Sequence, residues 1–221
     1  MLKQIVLLVL VLAIIIGYVF PHEGEKHQLN ESDMIEIAKN IEKGFPSASM
    51  HFYKIFLRYS LNSTNFFLKK GAENEGKGFA FLSLAYLVHS SMSSSIPEYY
   101  LKIENMTDAE LKNISIELYK DFIKGNYTLK VSGKSEFENK NDTIRAKSFI
   151  SAYREGYYSI ISNCKSLMDE YFQKEDWKNL VYISLVCKNI GERGKHITAE
   201  DLKGVESIKK FVEEIKNETI K

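Results

Sequence analysis

The sequence predicts an all-α protein, with an N-terminal membrane anchor helix followed by a multi-helix bundle or a short α-solenoid of helical hairpins. Three observations predict it. Residues 5–20, IVLLVLVLAIIIGYVF, form an apolar run without a charge. Most of the chain beyond repeats its apolar residues at three- and four-residue spacing, the period of an amphipathic helix. The alternation that a strand needs is confined to Tyr127, Leu129 and Val131.

The apolar run comes first. Lys3 precedes it and a charged stretch, PHEGEKH, follows. A positive charge ahead of a short apolar segment begins a secretory signal or a signal anchor, and the positive-inside rule keeps Lys3 in the cytoplasm and sends the remainder out. As a helix the run covers about 24 Å, against a hydrocarbon core of about 30 Å. No small-residue cleavage site follows Gly17, because Tyr18-Val19-Phe20 comes next. An uncleaved anchor fits best; a cleaved signal and a buried core helix are the alternatives. Residues 1–20 are thus read as the anchor and 21–31 as a juxtamembrane linker. His22 and His27 in that linker stand one residue too far apart for the zinc-protease H-E-x-x-H pattern.

Residues 32–125 are read as a first helical half. A short helix over 32–43 carries Ile35, Ile37, Ala38 and Ile41 and stops at Gly44-Phe45-Pro46. A second starts after Pro46, with Phe52, Ile55, Phe56 and Tyr59 on one side, and ends at Gly71. The next, 75–91, is apolar nearly all round and therefore central. A serine run and Pro97 end it, and 97–103 is a separate short helix. Thr107-Asp108-Ala109-Glu110 is a capping box. It starts a helix striped with Leu111, Ile114, Leu118 and Phe122 that stops at Gly125.

Residues 126–142 read as a polar loop with a brief extended piece, and 143–221 as a second helical half. A long helix over 143–174 presents Tyr153, Tyr157, Cys164, Met168 and Tyr171. It turns at Glu175-Asp176 into a return helix, 177–190, with Leu180, Ile183, Cys187 and Ile190 in register. Gly191 to His196 then reads as a helix stop and connector. Thr198 caps a last helix with Leu202, Val205, Ile208, Phe211, Val212 and Ile215 on its apolar face. Phe81-Leu82-Ser83-Leu84 can be laid on Tyr182-Ile183-Ser184-Leu185, which is what an internal repeat of solenoid kind would give.

Composition narrows the setting. Thirty Lys and Arg balance 29 Asp and Glu, so there is no basic surplus for nucleic acid. Hydrophobic residues make up 44%, enough for a core. Abundant Lys, Glu and Ile with scarce Gln is an archaeal-like, thermophile composition.

Two features bear on the side of the membrane. The acceptor pattern N-x-[ST] occurs at Asn30, Asn62, Asn105, Asn113, Asn126, Asn141 and Asn217. Random placement of 14 asparagines among 27 Ser and Thr in 221 residues would give about 1.7 such sites. N-glycosylation needs an exposed acceptor outside the cytoplasm; helix capping by Asn-x-Ser/Thr explains Asn30 and Asn105 equally well, but not Asn113 or Asn217. The second feature is the cysteine pair. Cys164 and Cys187 are equidistant from the Glu175-Asp176 turn and sit on core rows, so an antiparallel hairpin would bring them face to face. A disulfide closing that loop would contribute about 3 kcal/mol. Two buried free thiols are the alternative.

No catalytic, cofactor-binding or metal-binding constellation is legible. The five histidines are scattered and the cysteines do not form a CxxC pair. The expectation is a non-enzymatic, cofactor-free binding or scaffold module of the cell envelope. It is single-pass, with the N-terminus cytoplasmic and the C-terminal domain outside. It contacts the membrane through residues 5–20 and a protein partner at the envelope. A structural envelope glycoprotein is the alternative, then an envelope enzyme; a cytoplasmic domain of reversed topology also stays open.

Overall fold

A computed structural model describes residues 70–133 and 135–203. The apolar run at 5–20, the linker, the helices expected over 32–43 and 46–70, His22, His27, His51, Asn30, Asn62, Asn217 and the apolar face beyond Leu202 lie outside the described residues.

The described residues are helical throughout, apart from loops and two short strands. Helix α1 spans Ala72–Ile103, α2 Asp108–Lys124, α3 Lys140–Gln173, α4 Trp177–Gly194 and α5 Ala199–Lys203. Strands β1 (Lys130–Val131) and β2 (His196–Ile197) pair in parallel. Helix α1 packs against α3 and α4, α3 against α4, and α2 against α4. One apolar core runs through all of them, with Phe79, Phe81, Tyr157, Met168, Leu180, Tyr182 and Cys187 fully buried. Among the described helices, contacts between α1 and the later pair α3 and α4 dominate, and α3 and α4 pack on each other as a hairpin.

Helix α1 corrects the sequence reading of two helices. Instead of breaking at the serine run, it continues through Pro97 to Ile103. The hydroxyls of Ser90 and Ser94 donate to carbonyls three residues back, and that of Ser95 to the Ser91 carbonyl, four back, at 2.7 Å. Inside a helix a serine hydroxyl can turn back onto a carbonyl of the preceding turn, which satisfies it without ending the helix. Ser91 and Ser95 are also buried, and the Asn189 amide of α4 donates to Ser95 Oγ at 2.9 Å. Small side chains let α4 approach, and burial there carries the helix past a proline that removes one amide donor. Of the described helices, α1 alone is long and apolar enough to cross a membrane, with 56% of its most apolar window buried in the core. That burial is the one expected of the central helix of a bundle.

At the first turns of α1 and α3 the backbones nearly touch. A methyl group on Gly76 would overlap the Arg145 carbonyl and the Ser148 side chain. Ser148 Oγ donates to the Glu73 carbonyl at 2.7 Å, and Arg145 pairs with both Glu75 and Asp142. The capping box of α2 is formed as read: the Glu110 amide donates to Thr107 Oγ1 at 3.3 Å and the Thr107 amide to Glu110 Oε2 at 2.9 Å. Leu111, Leu118 and Phe122 are buried along its stripe.

Helix α3 begins three residues earlier than expected. Asn139 is its N-cap, accepting from the Asn141 amide at 2.9 Å. Thr143, expected as the start, instead bonds the Phe137 backbone through its hydroxyl. The turn at Glu175-Asp176 is as expected, with Glu175 at φ 53° and Asp176 capping α4 through the Asn179 amide. Cys164 and Cys187 form a disulfide, their Cα atoms 5.7 Å apart.

The end of α4 is the second correction. The helix does not stop at Gly191; it runs to Gly194. Gly191 is a packing site, where a methyl group would overlap the Tyr127 ring, and Gly194 lies against Leu87 and Tyr157. The last carbonyls of a helix lack intrahelical partners. Here the phenols of α3 supply them: Tyr157 donates to the Gly191 carbonyl at 2.9 Å and Tyr153 to the Gly194 carbonyl at 3.1 Å. The Lys195 carbonyl accepts from the Lys130 amide at 2.7 Å, which begins the strand pair.

Candidate functional site

The end of α4, β2 and α5 close one side of a cleft of about 400 Å³. Helix α1 contributes Leu82, Ser83 and Tyr86, and α3 contributes Phe149 and Tyr153. Arg193, His196, Ile197 and Asp201 complete it. Leu82, Phe149, Tyr153 and Ile197 are buried and form the floor, whereas Tyr86 is 55% exposed and stands at the rim. The rings of Phe149 and Tyr153 stack with centroids 5.6 Å apart.

Ionisable side chains, Arg193, His196, Asp201 and Tyr153 among them, enter this apolar frame. Asp201 is engaged locally: its carboxylate accepts from the Thr198 amide at 2.6 Å and from the Thr198 hydroxyl at 2.7 Å. Arg193 makes no ion pair with Asp201 or with any other described carboxylate. The Tyr153 phenol is spent on the Gly194 carbonyl. Burial, and then the nearby Asp201 carboxylate, push its ionisation well above the usual phenol range. Tyr153 therefore serves the cleft as a fixed aromatic wall and not as an acid.

The acceptor asparagines and the cysteine pair singled out by the sequence fall elsewhere. Asn105, Asn113, Asn126 and Asn141 are all exposed, and none lines the cleft. Asn105 lies just past the C-terminus of α1, about 25 Å along that helix from Tyr86. Asn113 is on α2, Asn126 follows α2, and Asn141 is in the first turn of α3 rather than in a loop. The Asn126 side chain accepts from the Thr128 amide at 3.1 Å. The Cys164–Cys187 disulfide is buried between α3 and α4, with Cys187 fully covered, and serves the core rather than a surface.

Of the two described histidines, His196 lines the cleft and His89 does not. Burial lowers His89 to about 4, which keeps it neutral near pH 7. Among the described residues no three His, Cys, Asp or Glu side chains gather as a metal site. The cleft escapes sequence reading for a physical reason. Its residues come from four segments, and Arg193 and His196 sit where the glycines suggested a connector rather than a helix end and a strand. The chain matches no protein-family model, no curated protein and no solved structure.

Proposed function

We propose that the chain is a membrane-anchored, extracytoplasmic helical module of the cell envelope that binds or holds a partner there. The observation that carries this reading is the cysteine pair: both cysteines of the chain are joined across the α3–α4 hairpin. Disulfides persist in oxidising compartments outside the cytoplasm. Intracellular proteins of hyperthermophiles are an exception, and the composition leans that way, so the acceptor sites add the needed weight. All four described acceptor asparagines are exposed, as glycan attachment demands. The apolar run at 5–20 supplies the anchor in this reading.

The binding half of the reading draws on the cleft. It is concave, walled by aromatic and aliphatic side chains, and free of acceptor asparagines. Glycans at the four sites would leave it accessible. The test of location is labelling of intact cells with a membrane-impermeant amine reagent. Exposed lysines such as Lys112 are expected to react before permeabilisation. Reaction only after permeabilisation would place the domain in the cytoplasm and end the proposal.

A further inference from the structure

The cleft between α1, α3 and the end of α4 is a half-open depression with a mostly apolar, aromatic lining and a few polar groups along it, the general make-up of a ligand site. Its charge distribution narrows the ligand. Asp201 is the carboxylate of the cleft, and its oxygen is occupied by the Thr198 amide and hydroxyl of the α5 cap. Both of those bonds fall on Oδ2, and the guanidinium of Arg193 in the same cleft makes no ion pair with Asp201 or with another described carboxylate. Lys195, its near neighbour, is by contrast paired with Glu192. A guanidinium presents a planar fork of donors matched to a carboxylate. His196 adds a ring nitrogen and Ser83 a hydroxyl to the same lining.

The walls select the rest of the ligand. Tyr86, Phe149 and Tyr153 offer three rings, of which Phe149 and Tyr153 are stacked and Tyr153 is pinned by its bond to Gly194. Tyr153 is stacked between Phe149 and Tyr157, so the exposed ring of Tyr86, above a buried apolar floor of Phe149, Leu82 and Ile197, is the face that favours a flat apolar body. A volume of about 400 Å³ accommodates one or two fused rings with a substituent. We propose that this cleft binds a small planar carboxylate, its ring system against Tyr86 over the floor of Leu82 and Phe149, and its carboxylate on Arg193. This deepens the binding-module reading and rests on it, but it is independent of which side of the membrane the domain occupies.

The experiment uses the full chain in lipid nanodiscs and two probes of equal shape, 2-naphthoate and the uncharged 2-naphthamide, followed by calorimetry. Saturable one-to-one binding of naphthoate, stronger than that of naphthamide, is expected. Arg193→Gln removes a charge-assisted contact and is expected to weaken naphthoate about tenfold while leaving naphthamide unchanged. Lys195→Gln, which removes the same charge two residues away from a side chain outside the cleft lining, is expected to leave both probes unchanged. Arg193 and Lys195 are not core residues, so both variants retain the fold, checked by circular dichroism. Absence of saturable naphthoate binding overturns the proposal. So does equal affinity for the two probes, or an equal loss in Arg193→Gln and Lys195→Gln. Cell-surface labelling is unaffected by any of these results, so the two proposals fail separately.

Discussion

Replacing Gly191 by alanine separates a helix-ending glycine from a packing glycine by the sign of its effect. Within a helix, exchanging Gly for Ala normally stabilises by about 0.5–1 kcal/mol, because alanine loses less backbone entropy. In this fold the added methyl group would overlap the Tyr127 ring. The ring cannot swing aside freely. A methyl group at Gly125 would overlap its far edge, and Phe122 stacks on it with centroids 4.8 Å apart. Overpacking of this kind costs about 1–3 kcal/mol, which outweighs the entropic gain. The net expectation for Gly191→Ala is a loss of about 1–2 kcal/mol, or about 2–8 °C in Tm for a chain of this size. In a Tyr127→Ala background the obstacle is gone, and the same substitution is expected to stabilise by up to about 1 kcal/mol. Thermal unfolding of the four full-length proteins, followed by circular dichroism with the disulfide intact, reads the cycle. A Gly191→Ala protein that melts higher than wild type, or one whose shift is the same in both backgrounds, refutes the packing argument.

Three further outcomes are expected. Replacing both cysteines with alanine is expected to lower stability by about 3 kcal/mol and to make Tm insensitive to reductant, whereas the buried wild-type bridge should yield to reductant only slowly. His89, lowered by burial to about 4, takes up its proton in the unfolded chain first as pH falls. Stability is therefore lost between about pH 6.5 and pH 4, and His89→Gln is expected to flatten that part of a Tm-against-pH curve. Finally, an oligosaccharyltransferase acting on the folded protein is expected to modify Asn105 and Asn126, which lie in non-helical segments. It is expected to spare Asn113, whose partner Ser115 is fully buried and donates to the Lys112 carbonyl at 2.7 Å; glycopeptide mass spectrometry reads the occupancy of each site.

Much of the described fold is legible in the sequence because its signals are local. The capping box at Thr107, the turn at Glu175-Asp176 and the stripe of α2 each depend on residues within a few positions of one another. The cysteine pairing is legible as well, since a two-helix hairpin turns a long-range contact into symmetry about a turn. Failures occur where a distant element overrides local preference. The serine run and Pro97 signal a break, yet α4 buries Ser91 and Ser95 and α1 continues. Gly191 signals a stop, yet Tyr127, many residues upstream in sequence, uses it as a seat and Tyr157 bonds its carbonyl. The parallel pairing of Lys130–Val131 with His196–Ile197 is non-local, so alternation suggests an extended piece but cannot name its partner. The cleft is the extreme case, since no two of its contributing elements announce each other in sequence.

The proposed placement of a helical ectodomain at the membrane is tested by the intact mass of the full chain purified from its native membrane, before and after reduction and alkylation. Attached glycans are expected to raise that mass above the 25.5 kDa of the polypeptide. Residues 1–20 are expected to be retained, and the two cysteines to alkylate only after reduction. An unglycosylated chain with both thiols free would contradict that placement.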